Sequence, residues 1–181
     1  MMLVTLGLMF LVPLTAAWLM HSGVIDYKPG SGVNRGELVD PPVAAEVPEE
    51  YAEEGLDRIW VLGHFPPASC DVTCQERLYG LRQLHRALGR DSIRVRVVLF
   101  GEDLDRGSVT SHADLSEQDF SFIGPNTGKL ALQFESLGDR DSIFIIDPLG
   151  NIMMRYSADT DPNEILPDME RLLKYQKTDS Q

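Results

Sequence analysis

The fold is decided by residues 69–78, SCDVTCQERL, which contain the two cysteines of the chain. The apolar run before them, residues 58–65, predicts a strand, and leucines at helical spacing after them predict a helix from about Cys74 to Leu88. The cysteines therefore lie in a loop between a strand and a helix. Because the dipole and free N–H groups at a helix start favour a thiolate, Cys70 and Cys74 are the candidate redox or metal-binding residues.

The rest of the chain supplies further α/β elements. They are a strand over residues 93–100, an irregular or partly helical region over 101–138, a strand over 142–146, a turn over 147–150, a strand over 151–156 and a helix from about Pro162 to Tyr175. This order of strand, helix, strand, hairpin and helix predicts a thioredoxin-like α/β sandwich. A right-handed crossover is expected to join its first two strands in parallel.

Composition limits the class of protein. The chain has 181 residues, of which 43% are hydrophobic, and this is enough for one ordinary domain with additional segments. A disordered chain is excluded. The formal net charge is -12 at pH 7 and Lys and Arg form no cluster along the sequence, so nucleic acid is not an expected partner.

The amino terminus is apolar. No Asp, Glu, Lys or Arg occurs over residues 3–25, and as a helix this run can span the roughly 30 Å hydrocarbon core of a membrane. A cleaved signal peptide is the competing interpretation, but the basic residues that usually precede its apolar core are missing. We predict an uncleaved transmembrane anchor over residues 1–25, a tether and lead-in over 26–56 and a thioredoxin-like domain over 57–181.

Within the tether and lead-in, residues 34–42 are expected to be ordered. The domain after the anchor is expected to be exported, where a disulfide is permitted.

The cysteine pair allows more than one chemistry. The spacing Cys-x-x-x-Cys places two sulfurs one helical turn apart, where they can form a disulfide or bind a soft ion such as Cu(I). A structural disulfide without a redox role is the other interpretation. His64, His85 and His112 are predicted to be packing or loop residues and not ligands, and one of Met153 and Met154 is predicted to face the core.

Four segments carry a resemblance to a known family. They are the cysteine loop over residues 70–74, the hairpin region over 144–152, residues 34–42 (NRGELVDPP) and the helix over 78–89. Together they resemble the Sco/SenC family, and most closely the small membrane-anchored Sco-like proteins associated with cytochrome c oxidase genes in proteobacteria. The resemblance implies a thioredoxin fold, a role in cytochrome c oxidase biogenesis, and an oxidase subunit or one of its assembly factors as partner. It also implies that Cys70 and Cys74 exchange disulfides or handle Cu(I) transiently, in a domain on the periplasmic side of the cytoplasmic membrane.

Two places depart from the family pattern. Copper-binding Sco proteins have a histidine shortly before the strand that corresponds to residues 142–146, whereas Asp139 and Arg140 stand there in this chain. Thioredoxin oxidoreductases have a cis-proline directly before that strand, whereas this chain has Asp141 and Ser142.

The sequence leaves three hypotheses open. The first is a membrane-anchored Sco-like protein that assists the oxidase through its cysteine pair. The second is a thiol-disulfide oxidoreductase that acts on a partner's copper-site cysteines. The third is a non-catalytic binding module whose disulfide is structural.

Overall fold

The computed structural model describes residues 2–21, 34–111, 114–124 and 126–178. The chain divides into two units, Met1–Val33 and Asn34–Gln181.

The first unit contains helix α1, Met2–His21. Within the described ranges, no helix is both long enough and apolar enough to cross a membrane. The transmembrane helix of the predicted fold class is therefore not confirmed. Residues 22–33, which hold the end of the predicted anchor and the start of the predicted tether, lie outside the described ranges.

The second unit contains the remaining helices and all six strands of the described chain. Its helices are α2 (Glu49–Glu53), α3 (Val72–Ala87), α4 (Arg106–Val109), α5 (Gly128–Leu137) and α6 (Pro162–Thr178). Its strands are β1 (Glu37–Ala44), β2 (Trp60–His64), β3 (Val95–Phe100), β4 (Ser121–Ile123), β5 (Ile143–Ile146) and β6 (Asn151–Tyr156). Short 3-10 helices cover Leu56–Arg58, Gly89–Arg94 and Glu117–Asp119. The predicted strands, cysteine helix, hairpin and closing helix are confirmed.

The strands form one mixed sheet in the order β1-β6-β5-β2-β3-β4. β2 runs parallel to β3, and β3 runs parallel to β4. β5 is antiparallel to β2, and β6 is antiparallel to both β5 and β1. The central strands β3-β2-β5-β6, with α3 joining β2 to β3 and α6 following β6, have the connectivity of the predicted thioredoxin-like fold.

The sheet separates two hydrophobic cores because successive side chains of a strand point to opposite faces. In β2, Leu62 belongs to a core shared with α3 and α6, which we call the first core. Its neighbour Val61 belongs to a second core shared with α2 and α5. Every residue of β2 and β5 is buried, which explains why both strands are apolar apart from His64 at the end of β2.

Helices α3 and α6 approach each other closely above the first core. Gly80 lies in α3, and a Cβ atom there would be only 2.6 Å from the Cγ atom of Pro162 at the start of α6. A larger residue would have to displace the proline ring. Glycine therefore allows the start of α6 to pack against α3.

The residues before β1 are held by α6. The Oδ2 atom of buried Asp168 accepts hydrogen bonds from the N–H groups of Arg35 at 2.8 Å and Gly36 at 3.0 Å, and from the Tyr156 hydroxyl at 2.9 Å. The chain then continues as β1 at the edge of the sheet. Residues 34–42, which are predicted to be ordered, correspond to the first part of β1 and to the residues before it that are bonded to Asp168.

Candidate functional site

The two cysteines lie where β2 ends and α3 begins. Cys70 and Cys74 form a disulfide, and their Cα atoms are 5.3 Å apart. Asp71 between them is the N-cap of α3, because its Oδ1 atom accepts a hydrogen bond from the Cys74 N–H group at 2.9 Å. The sequence leaves open whether the pair forms a disulfide or binds a soft ion, and the structure has the oxidised pair.

The disulfide is covered by the segment that contains α4. Cys70 is 5% exposed and Cys74 is 3% exposed. The Cys70 N–H group donates a hydrogen bond to the Ser108 hydroxyl at 3.3 Å. The Gln75 amide nitrogen lies 3.1 Å from the Cys70 carbonyl oxygen and 2.7 Å from the Ser111 hydroxyl, so it ties the cysteine loop to the covering segment. A thiol of another protein therefore reaches the disulfide only if this segment moves.

His64 ends β2 on the same face of the sheet as the cysteines. Its side chain has no solvent exposure. Leu62, two residues earlier in the strand, and Ile143, directly opposite in β5, both belong to the first core, which also contains Cys70 and Cys74. The Nδ1 atom of His64 is 3.4 Å from the Ser142 carbonyl oxygen, and Nε2 has no hydrogen-bond partner among the described residues.

The environment of His64 keeps its ring neutral. Burial lowers the pKa of His64 to about 4, and the positive charge of Arg77 acts in the same direction. The Ser142 carbonyl and Asp141 act in the opposite direction without offsetting burial. A neutral imidazole has one N–H group, and a carbonyl oxygen can only accept. Nδ1 therefore carries the proton and Nε2 carries a lone pair.

The positions where the family pattern has a histidine or a proline carry other residues. Asp139 and Arg140 are exposed, and the guanidinium carbon of Arg140 lies 5.4 Å from the centre of the Phe65 ring. Ser142 is buried with its carbonyl near His64. In the part of the chain that the structure describes, no group of three His, Cys, Asp or Glu side chains could hold a metal ion. A copper ion at this place would depend on the two sulfurs after reduction.

The other residues noted in the sequence lie away from the disulfide or serve packing. The Nε2 atom of His85 is 2.9 Å from the carbonyl oxygen of Val95, the first residue of β3, and 3.0 Å from that of Ser92, so it joins α3 to the start of β3. Met154 is buried in the first core, which confirms that one methionine of the pair faces the core, whereas Met153 is half-buried against that core and not exposed. His112 lies outside the described residues.

A cavity of about 480 Å³ opens beside the loop that leads to Cys70. It is bordered by Pro66 and Ala68 of that loop, by residues 101–104 after β3 and by the first part of α5. Its charged lining consists of Glu102, Asp103, Glu135 and Arg140. The region over residues 101–138 thus contributes a mainly acidic wall next to the cysteine loop.

Three features of the site go beyond the prediction from sequence. They are the unpartnered nitrogen of His64, the helix cap by Asp71, and the cover held by Gln75 and Ser108. The cap has a local signature, since an aspartate directly precedes the first residue of the helix. The other two depend on contacts between distant parts of the chain, which no local pattern reveals.

The sequence over residues 60–176 matches the protein family described as "transmembrane-like, thioredoxin-like, C-terminal domain". No curated protein sequence matches the chain.

Several solved structures are similar to this one. BsSco, described as a member of the Sco family of cytochrome c oxidase assembly proteins with a disulfide switch, has a TM-score of 0.50 and 17% identity, over 67% of this chain and 84% of that chain. Yeast Sco1 with copper bound has a TM-score of 0.50 and 16% identity, over 67% and 82%. A yeast mitochondrial 1-Cys peroxiredoxin has a TM-score of 0.53 and 18% identity, over 68% of each chain. At such low identity, these similarities support the thioredoxin-like fold.

Proposed function

Because the chain belongs to the family described as transmembrane-like, thioredoxin-like, C-terminal domain, we propose that it is a Sco-like protein that exchanges disulfides during cytochrome c oxidase biogenesis. The observation that carries this proposal is the Cys70–Cys74 disulfide at the strand-to-helix junction of a thioredoxin-like fold. The similarity to BsSco, which is described with a disulfide switch and as a member of an oxidase assembly family, supports the same proposal.

Exchange at this site needs only a partner with two thiols. A partner thiolate attacks the Cys70 sulfur, the bond between Cys70 and Cys74 breaks, and Cys74 leaves with the electron pair and takes up a proton. The second partner thiolate then attacks the partner sulfur of the mixed disulfide and releases Cys70. The partner dithiol loses two electrons and becomes a disulfide, and the cysteine pair gains them.

The reaction requires that a partner thiol reach the buried disulfide. Both sulfurs belong to nearly buried residues, and Gln75 joins the cysteine loop to Ser108 and Ser111. The partner must therefore displace the segment around α4 before attack. The acidic wall of the neighbouring cavity favours a partner surface that carries positive charge near its thiols.

Transient Cu(I) handling is the alternative for the same pair. After reduction, two cysteine sulfurs can bind Cu(I) in two-coordinate form. Yeast Sco1 has been solved with copper bound, which supports this alternative. Within the described residues, however, no third side chain joins the cysteines in a group that could hold a metal. We therefore place disulfide exchange first.

A structural disulfide is the second candidate function, and one observation favours it. The pair is 3–5% exposed and packed in the first core, as a bond that only stabilises a binding module would be. Under this candidate the fold recruits a partner and the cysteines carry no chemistry.

The location and the partner complete the proposal. We propose that the apolar run over residues 3–25 attaches the chain to the cytoplasmic membrane, with Cys70 and Cys74 on the periplasmic side. The proposed partner is an oxidase subunit or one of its assembly factors. Membrane fractionation, followed by protease treatment of intact spheroplasts, tests this location. Recovery in the soluble fraction contradicts it.

Two experiments test the function: thiol trapping on the purified protein and restoration of oxidase activity in cells. Purified full-length protein is mixed with a dithiol, and free thiols are trapped by alkylation over time. Exchange predicts reduction of the folded protein, whereas a structural disulfide predicts reduction only after unfolding.

In cells that lack the protein, the Cys70→Ser, Cys74→Ser variant should fail to restore oxidase activity. Ser69→Ala, a change at the exposed neighbour of Cys70, is the matched control and should restore it. Full restoration by the double variant refutes the proposed function.

A further inference from the structure

Two neighbouring cavities form one groove that begins beside the cysteine loop. The cavity of about 480 Å³ described above is followed by a second of about 700 Å³, which is bordered by residues 46–50 leading into α2 and by the start of α5. Glu102 and Gly128 line both cavities. The Oε1 atom of Glu102 would lie 4.0 Å from a Cβ atom at Gly128, so this carboxylate stands where the cavities meet. We call the two cavities together the acidic groove.

The acidic groove carries an excess of negative charge. Two basic side chains line it, those of Lys129 and Arg140, against six carboxylates. The six belong to Glu46, Glu49, Glu50, Glu102, Asp103 and Glu135. None of these carboxylates forms an ion pair with another residue that the structure describes. Because like charges without counter-charges repel each other, the groove favours a cationic occupant.

A buried oxygen and an exposed apolar side chain in the groove each point to an occupant. The Oε2 atom of Glu50 is shielded from solvent and has no hydrogen-bond partner within the described ranges. Buried polar atoms nearly always have a partner, so this oxygen lacks a donor. Leu132 of α5, in contrast, is 67% exposed although it lines the cavity next to the cysteine loop. Arg and Lys side chains suit both, because they combine charged N–H donors with an apolar stem.

The acidic groove reaches the loop that holds the disulfide. Ala68 lines the groove and precedes Cys70 by two residues, so their Cα atoms are at most about 7 Å apart. Glu102 and Asp103 form another part of the wall, and the chain continues from them into α4, which belongs to the segment that covers the disulfide. An occupant of the groove therefore lies beside both the cysteine loop and its cover.

We propose that the acidic groove binds a positively charged peptide segment of the partner protein and thereby holds the partner's thiols next to Cys70. The inference rests on the proposed function, because it assigns a binding surface to the partner of the exchange reaction. A peptide suits the groove because it can run through two joined cavities and make apolar as well as charged contacts. The carboxylates are too dispersed for a metal ion, since no three acidic groups of the described chain are placed to hold one.

Peptide binding to the purified full-length protein tests the groove without any thiol. The probe is a short fluorescent peptide of alternating Arg and Ala, and fluorescence anisotropy measures its dissociation constant. The wild type should bind it. The Glu102→Gln, Glu135→Gln variant should bind it severalfold more weakly, at about two- to fivefold for each lost ion pair. The Glu164→Gln, Glu170→Gln variant removes the same charge from exposed positions of α6, so it is the matched control and should bind like the wild type.

The control separates the groove from the net charge of the protein. Equal weakening in the two variants would show that the peptide responds to the charge of the whole protein, and this would overturn the inference. Absence of binding to the wild type would overturn it as well. A peptide of alternating Glu and Ala should not bind, and binding of that peptide as tight as that of the Arg peptide also contradicts the inference.

Exchange rates connect the groove to the disulfide. A peptide with two cysteines flanked by Arg should reduce the Cys70–Cys74 bond faster than the same peptide with Glu in place of Arg, as measured by thiol trapping. This advantage should fall in Glu102→Gln, Glu135→Gln and with added salt, which screens exposed charges, and it should persist in the α6 variant. An advantage of equal size in all three proteins overturns the inference. Normal exchange with a simple dithiol but no peptide binding rejects only the groove, whereas peptide binding without reduction by any dithiol rejects only the proposed function.

Discussion

Reduction of the Cys70–Cys74 bond should destabilise the protein only modestly. The bond joins residues separated by 4 in sequence, so the loop that it closes in the unfolded chain is very short. For a loop of about five residues, the loss of chain entropy is about 7 cal/mol/K, which corresponds to a stabilisation of about 2 kcal/mol at 25 °C. In the folded state the two thiols would stay packed in the first core, so we expect the fold to persist after reduction.

Urea unfolding of the full-length protein with and without reductant measures this difference directly. The expected fall in the free energy of unfolding is about 2 kcal/mol. The Cys70→Ala, Cys74→Ala variant is the control, because its stability should not respond to the reductant. A fall of about 4 kcal/mol or more would refute the reasoning from loop length and would favour a structural disulfide. A small fall leaves both redox states folded, which a protein that cycles between them needs.

His64, Asp168 and Gln75 provide three further tests. The pKa of His64 is about 4 in the fold against the usual 6.5, so the unfolded chain binds the proton first as the pH falls. Between pH 7 and pH 4 the wild type should therefore lose about 3 kcal/mol relative to His64→Gln in urea unfolding, and parallel curves would contradict this. Asp168→Ala should cost roughly 4 kcal/mol in the same assay, because three donors lose their acceptor, and a cost below about 1 kcal/mol would reject the role of this carboxylate. Gln75→Ala should speed reduction of the disulfide severalfold in thiol trapping. Gln133→Ala, a change in a glutamine that bonds the last residue of β1 and Glu46, should not, and equal rates for the two variants would show that Gln75 does not hold the covering segment.

The elements with strong local signatures were predictable from the sequence. β6 covers the predicted residues 151–156, and α6 begins at Pro162, where Asp161 accepts a hydrogen bond from the Asn163 N–H group at 2.9 Å. β3 begins at Val95 and not at residue 93, because residues 89–94 form a 3-10 helix. The predicted boundaries of these elements differ from the observed ones by no more than the usual fraying at the ends of an element.

In the region over residues 101–138, local sequence patterns did not predict the individual elements. β4 has three residues, too few to display a period, and it exists because Ser121–Ile123 pairs with the end of β3. α5 begins at Gly128 without a side-chain cap, so its start has no local signature. Both elements are stabilised by contacts with the sheet and the second core, which the sequence alone does not reveal.

Part of the candidate site was also predictable from the sequence, and part of it was not. Cys70 and Cys74 could be selected from the sequence because their spacing and position carry chemical meaning. The sequence left their oxidation state open, since a pair at this spacing can also remain reduced or bind a soft ion. The environment of His64 could not be predicted, because it depends on Ser142 and Arg77, which come from other elements.

The edges of the sheet affect how another protein can bind. The outermost strands are β1 and β4. β1 contains Pro41 and Pro42, whose nitrogens have no hydrogen to donate, and β4 is only three residues long. Neither edge is a good template for an added strand. Partners are therefore expected to recognise loops and helix surfaces of this protein, and the same edges protect the folded sheet from aggregation with its own copies.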